Sequence, residues 1–176
     1  LFGLVGSEMC IRDRSKIELQ EHIRPTHEID LIELIDYVIK TYEKIISKQN
    51  IKIIFNKVES LKIIGDRDKL IEIFTNLIDN SIKYSDKNKE ITITAKKDGE
   101  FNTVSVRDQG IGIPKESIHR ITERFFTVDP SKSRSVGGTG LGLAIVKHLV
   151  SQHRAEMDIN SVENEGTTID IKFNSL

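Results

Sequence analysis

Gly137-Gly138-Thr139-Gly140-Leu141-Gly142-Leu143 runs directly into Ala144-Ile145-Val146-Lys147-His148-Leu149-Val150, and this stretch decides the fold. Four glycines fall within six positions, and the residues after them have the apolar spacing of a helix. Glycine lets backbone approach a ligand closely, and the first free N–H groups of a helix carry partial positive charge toward it. That combination suits phosphate. A glycine-rich turn before a helix can equally be a tight connection, so its meaning depends on three other segments.

The first is Asn76-Leu77-Ile78-Asp79-Asn80-Ser81-Ile82-Lys83-Tyr84. Asp66 to Lys83 reads as an amphipathic helix, with Leu70, Ile71, Phe74, Leu77, Ile78 and Ile82 on one side. Asn76, Asn80 and Lys83 stand at i, i+4 and i+7 and form one stripe on the other side. An Asn carbonyl is a hard oxygen ligand suited to Mg²⁺, and a nearby Lys can meet phosphate as a point charge. Without further context the stripe is a solvated helix face.

The second is Asp108-Gln109-Gly110-Ile111-Gly112-Ile113-Pro114, which follows a strand from Phe101 to Arg107. Val104, Val106 and Asp108 share a face by the two-residue period. A carboxylate at the inner end of a strand is costly to bury without a donor, and the exocyclic amine of adenine is such a donor. An Asp-Gln-Gly turn between strands is the plainer reading. The third is Arg124-Phe125-Phe126, followed by the polar run Thr127 to Val136 with Lys132 and Arg134. That run has no apolar pattern and ends at the glycines, so it reads as a mobile loop that would cover a bound nucleotide.

In this order and spacing the four segments resemble the ATP-binding catalytic domain of sensor histidine kinases in two-component signalling, within the gyrase, chaperone and mismatch-repair superfamily. The asparagine helix is similar to that family's N box, Asp108 to Gly112 to its first glycine box, Thr122 to Phe126 to its F box, and Gly138 to Gly142 to its second glycine box. The match runs from about Glu28 to Phe173, and the phrase from Ile121 to Val150 is most similar to kinases of the phosphate-starvation type. The resemblance implies roles for the matched positions. Asn80 would hold Mg²⁺ with support from Asn76, Lys83 would reach the phosphates, Tyr84 would lie near the adenine, and Asp108 would accept from its amino group. Gly110 and Gly112 would let the backbone pass the base. Gly138, Thr139, Gly140, Leu141 and Gly142 would cradle the triphosphate, and Arg124 would support the lid.

The resemblance also implies transfer of the ATP γ-phosphate to a histidine on a separate dimerisation helix, so no catalytic residue is assigned within the chain. Implied partners are that dimerisation domain, in a homodimeric parent, and a response regulator. The domain would be cytoplasmic, in a parent held in the bacterial inner membrane by a region upstream. His27-Glu28 is superficially similar to the family's phosphoacceptor pair, but Ile29-Asp30-Leu31 replaces the Arg-Thr-Pro that follows it there, and His27 is rejected in that role. Three departures stand out. Thr127 occupies a position where many relatives have an Arg, leaving Lys132 or Arg134 to supply that charge. His153-Arg154-Ala155 replaces His-Gly-Gly, and Ser81 replaces a commoner Ala.

The chain's 176 residues are enough for one domain with a real core, and a charged fraction of 30% marks a globular chain. A net charge of −1 gives no electrostatic reason to expect nucleic acid or an anionic membrane as partner. No apolar run approaches the roughly 20 residues of a membrane span. One cysteine excludes an internal disulfide framework. Residues 1–14 contain Ser7-Glu8-Met9-Cys10-Ile11-Arg12-Asp13-Arg14, which resembles an in-frame translation of a transposon-based sequencing adapter and is set aside. Residues 15–27 then read as the end of a dimerisation helix and its linker, ending near Pro25, and residues 28–175 as the catalytic domain.

Asp30 and Glu33 open a helix from Leu31 to about Gln49. Ile51 to Phe55, Leu61 to Ile64, Glu90 to Lys96, Phe101 to Arg107, Met157 to Ser161 and Thr168 to Phe173 read as strands. Pro114 to about Ile121 is a short helix, and Gly140 to His153 a longer one. The sum is an α/β two-layer sandwich, a mixed sheet of about five strands with three main helices on one face (the Bergerat-type fold). ATP hydrolases of the superfamily place a Glu four residues before the metal Asn to activate water. Here that position is Asn76, which favours a kinase over a hydrolase. A nucleotide-binding regulatory module without turnover and a serine kinase of the anti-sigma type also compete with the histidine kinase reading.

Overall fold

The computed structural model describes Pro25, residues 27–85 and residues 88–176. Residues 1–14 and the helix tail expected before Pro25 lie outside the described residues. The elements follow in the order β1 (His27–Asp30), α1 (Leu31–Thr41), α2 (Glu43–Gln49), β2 (Lys52–Asn56), β3 (Lys62–Gly65) and α3 (Arg67–Lys83). Then come β4 (Glu90–Asp98), β5 (Phe101–Asp108), a 3₁₀ turn (Lys115–Ser117), α4 (Pro130–Ser135), α5 (Gly142–Gln152), β6 (Glu156–Val162) and β7 (Gly166–Asn174).

Five strands form one mixed sheet in the order β2-β4-β5-β7-β6. Only β2 and β4 pair in parallel within it. Helices α1, α3 and α5 pack against one face. Leu34, Ile35 and Val38 of α1, Phe74, Leu77 and Ile78 of α3, and Val146 and Val150 of α5 are buried there over Ile91, Ile93, Val104 and Ile171 of the strands. Alternate strand positions such as Thr92, Arg107 and Lys172 turn to the other face, so the fold has two layers with polar residues on the open side.

Asp66 caps α3, its carboxylate accepting from the N–H of Asp68 and Lys69, and Leu70, Ile73, Phe74, Leu77, Ile78 and Ile82 fill the core. Ile73 joins that set in place of Ile71, which packs at the core's edge. Asp30 caps α1 through the N–H of Ile32 at 2.9 Å. The single helix expected up to Gln49 breaks at Tyr42. Thr41 Oγ1 donates back to Val38 O at 2.7 Å, a competing bond that loosens a helix turn. Past the break no residue of α2 is buried, and Ile45 is exposed.

Several elements differ from the sequence-based expectation. His27–Asp30 is a strand, paired antiparallel with Lys62–Gly65 in a separate two-stranded sheet, so His27 belongs to the ordered body. The polar run expected as an irregular loop contains α4, capped by Asp129 with Pro130 in its first turn. The helix expected at Pro114 shrinks to Lys115–Ser117. The turn after α5 is made without glycine, with Arg154 itself in the left-handed region at φ 53°. No helix among the described residues is long and apolar enough to cross a membrane.

Candidate functional site

A cleft opens between the outer side of α3, the end of β5 and the glycine-rich loop before α5. Helix α3 brings Asn76, Asn80, Lys83 and Tyr84 to it, and β5 with its exit brings Asp108 and Gly112. From the other side come Lys132 of α4 and Gly138, Thr139, Gly140 and Gly142. Gly110, Arg124, Arg134 and Leu141 do not line it. Arg124 and Arg134 are exposed.

Helix geometry explains the asparagine wall. Asn76 and Asn80 are one turn apart, so their side chains project together. Asn76 Nδ2 donates to Glu72 O at 2.8 Å, which leaves Oδ1 on the cleft side. A β-carbon on Gly142 would lie 3.1 Å from that oxygen and 3.4 Å from Asn80 Nδ2. The first turn of α5 therefore abuts both amides. No group of three or more His, Cys, Asp or Glu is placed to hold a metal among the described residues. Two amide oxygens fit Mg²⁺, which takes few protein ligands when substrate phosphates and water supply the rest.

The base of the cleft is Asp108. Its Oδ1 accepts from Gly110 N at 2.9 Å and Thr167 N at 3.2 Å. Among the described residues, Oδ2 has only Ser81 Oγ, at a long 3.4 Å. The half-buried carboxylate is thus partly satisfied by the protein's own donors. Burial pushes its pKa up, and these three donors pull it down. The neighbouring glycines answer to the protein's own backbone. A β-carbon on Gly112 would come 2.1 Å from Val162 O, and one on Gly110 2.6 Å from Tyr84 O.

The loop before α5 is tied to the segment ahead of it. Phe125 has φ 65°, rare for an aromatic residue, and donates its N–H to Gly140 O at 2.8 Å. Gly140 has φ 69°, and a β-carbon there would lie 2.9 Å from Phe125 Cα. Not every loop N–H faces the cleft. Gly138 N donates to Ser133 O at 2.7 Å and Leu141 N to Thr139 Oγ1 at 3.3 Å. Those of Gly140 and Gly142 have no protein acceptor among the described residues. Lys83 Nζ lies 2.7 Å from Asp79 Oδ2 and 3.5 Å from Gly137 O.

Sequence reasoning misses Ser81, Asp79 and Thr167 as site residues, and with them the apolar lining of Val106, Ile111, Leu143 and Ile169. Ser81 is visible in the sequence as an exception to a commoner Ala. Thr167 lies 59 positions from the carboxylate it binds, and no local pattern announces it.

Residues 65–175 match the family model described as histidine kinase-, DNA gyrase B- and HSP90-like ATPase. This chain belongs to that family. Sensor histidine kinase WalK of Bacillus subtilis is 34% identical over 158 residues, covering 88% of the chain and 26% of WalK. Phosphate regulon sensor protein PhoR of Pseudomonas aeruginosa is 39% identical over 125 residues, covering 71% of the chain and 28% of PhoR. The chain thus spans about a quarter of the length of these relatives. The nucleotide-free catalytic domain of histidine kinase ThkA superposes with a TM-score of 0.74 at 30% identity, covering 85% of the chain and 95% of that domain. ThkA has also been solved in complex with a response regulator protein, TrrA, and that chain superposes with a TM-score of 0.72 at 25% identity, covering 97% of this chain and 49% of ThkA. As a member of the family, the chain is an ATP-binding catalytic domain of the sensor histidine kinase type.

Proposed function

We propose that this domain binds ATP with Mg²⁺ and transfers the γ-phosphate to a histidine on a dimerisation helix outside residues 28–175. Asn80 and Asn76 hold the metal, Lys83 and Lys132 meet the phosphates, and the N–H groups of Gly140 and Gly142 receive phosphate oxygens. Asp108 accepts from the adenine amine through Oδ2, beside Tyr84. Arg124 and Arg134, outside the cleft, act through lid position at most. Mg²⁺, when bound, offsets the charge of the phosphates. The bond between the γ-phosphorus and the ADP oxygen breaks, a bond to the acceptor imidazole nitrogen forms, and ADP leaves.

One observation carries this reading: the amides of Asn76 and Asn80 stand against the first turn of α5 at Gly142. Phosphoryl transfer asks for positioned charge more than for covalent help from the protein. Asn76 also gives no carboxylate where the hydrolases of the superfamily keep their base, so fast hydrolysis is not expected. By analogy with ThkA and TrrA, a response regulator is the onward partner. The parent is a homodimer whose membrane attachment lies upstream, and the domain alone does not phosphorylate itself. Mixing the chain with γ-labelled ATP and a dimerisation domain tests this. Acid-labile label on the acceptor histidine is expected, and rapid phosphate release with no acceptor label would make the chain a hydrolase.

A further inference from the structure

Asp79 and Lys83 stand one turn apart on α3, and both line the cleft. Their Oδ2 and Nζ are 2.7 Å apart, with side chains only 39% and 30% exposed. The acidic residue precedes the basic one, the favoured order for such a pair on a helix. The same Nζ lies 3.5 Å from Gly137 O, at the start of the glycine-rich loop. Lys83 is thus held at the cleft wall by a carboxylate that neighbours Asn80 in sequence.

We propose that Asp79 clasps Lys83 and makes nucleotide binding depend on a divalent cation. This rests on the ATP reading and adds to it a means of discriminating metal-loaded from bare nucleotide. For Lys83 to reach phosphate, its bond to Asp79 must loosen. The carboxylate is then left in the cleft beside a highly anionic triphosphate, and like charges at such range repel. A divalent cation on the phosphates supplies the opposing charge. Bare ATP gets the lysine only by exposing itself to Asp79, whereas ATP with Mg²⁺ is less negative and meets less of that repulsion. The field of Asp79 is felt elsewhere too: it adds to burial in pushing the Tyr42 hydroxyl up to about 12.

The test is calorimetric titration of ATP with Mg²⁺ and with EDTA, on wild type, Asp79→Asn, Lys83→Met and the double variant. Asp79→Asn should tighten bare ATP by about three- to fivefold, the scale of a partly exposed charge pair, and shrink the Mg²⁺ enhancement accordingly. Lys83→Met should cost more bare-ATP affinity in the Asp79→Asn background than in wild type, because only a released lysine engages fully. Asp79→Ser, read the same way, separates charge removal from effects of the new amide. An unchanged Mg²⁺ enhancement, or equal Lys83→Met losses in both backgrounds, would overturn the clasp alone. Wild type that binds no ATP even with Mg²⁺ would overturn the nucleotide reading and the clasp with it.

Discussion

A β-carbon placed on Gly142 would stand 3.1 Å from Asn76 Oδ1, so the first turn of α5 is fitted against the asparagine face of α3. Gly142→Ala should push both amides by a few tenths of an ångström without harming the helix, since Ala is the better helix former. Affinity for ATP with Mg²⁺ should fall on the order of tenfold, while the melting temperature holds or rises. Titration and thermal melting read the two effects apart. Unchanged affinity would mean the amides do not position the ligand.

Gly140→Ala acts differently. The left-handed backbone there costs an L-residue about 1–2 kcal/mol, and the β-carbon meets Phe125 Cα at 2.9 Å. The tie between Phe125 N and Gly140 O should loosen, and limited proteolysis across residues 127–136 should quicken several-fold. Wild-type cleavage rates would show that the tie does not hold the segment.

Asp108→Asn should leave the fold intact. Oδ1 keeps its bonds from Gly110 and Thr167, Ser81 can accept from the new amide, and the cost of burying a charge disappears. Losing a charge-assisted bond to adenine, worth about 1.5–3 kcal/mol, should weaken ATP roughly tenfold or more and narrow its advantage over GTP. If the wild type binds ATP and GTP equally, Asp108 does not read the base.

Much of this layout is legible in the sequence, because helix α3 announces itself through the Asp66 cap and a core stripe, and the strands through alternation. The break at Tyr42 is not legible that way. It depends on where tertiary burial ends, and the apolar pattern of Ile45 and Ile46 runs on regardless. Helix α4 has a readable Asp-Pro start, but without apolar periodicity the segment reads as a loop. The asparagine stripe, Asp108 and the glycines Gly112, Gly138, Gly140 and Gly142 are local patterns and converge on one cleft. The Thr167 bond to Asp108 is set by packing between segments 59 positions apart, which spacing does not encode.

His153 ties α5 to the start of α3. Its Nδ1 faces Leu149 O at 2.8 Å, and its Nε2 accepts from Asp66 N at 3.1 Å, which requires the neutral ring. Burial pushes its pKa down, aided by Lys69 and opposed by the Leu149 carbonyl and Asp66. A depressed imidazole adds stability that is present above its ordinary value near 6.5 and lost as pH falls below it, by at most about 1.4 kcal/mol per pH unit. Urea midpoints at pH 7.5 and 5.5 should therefore drop further in wild type than in His153→Gln. Equal drops would remove His153 from the account.

The central claim is that the asparagine face of α3 holds the metal, and Asn80→Ala tests it most directly. Asn80 lies off the buried stripe, so its loss opens no cavity, and ligand-free melting should barely change. ATP affinity measured with and without Mg²⁺ should lose most of its Mg²⁺ dependence, keeping only the share that Asp79 supplies, and phosphotransfer to a supplied dimerisation domain should collapse. A variant that melts many degrees lower yet keeps the full Mg²⁺ enhancement would contradict the account and make Asn80 a structural residue.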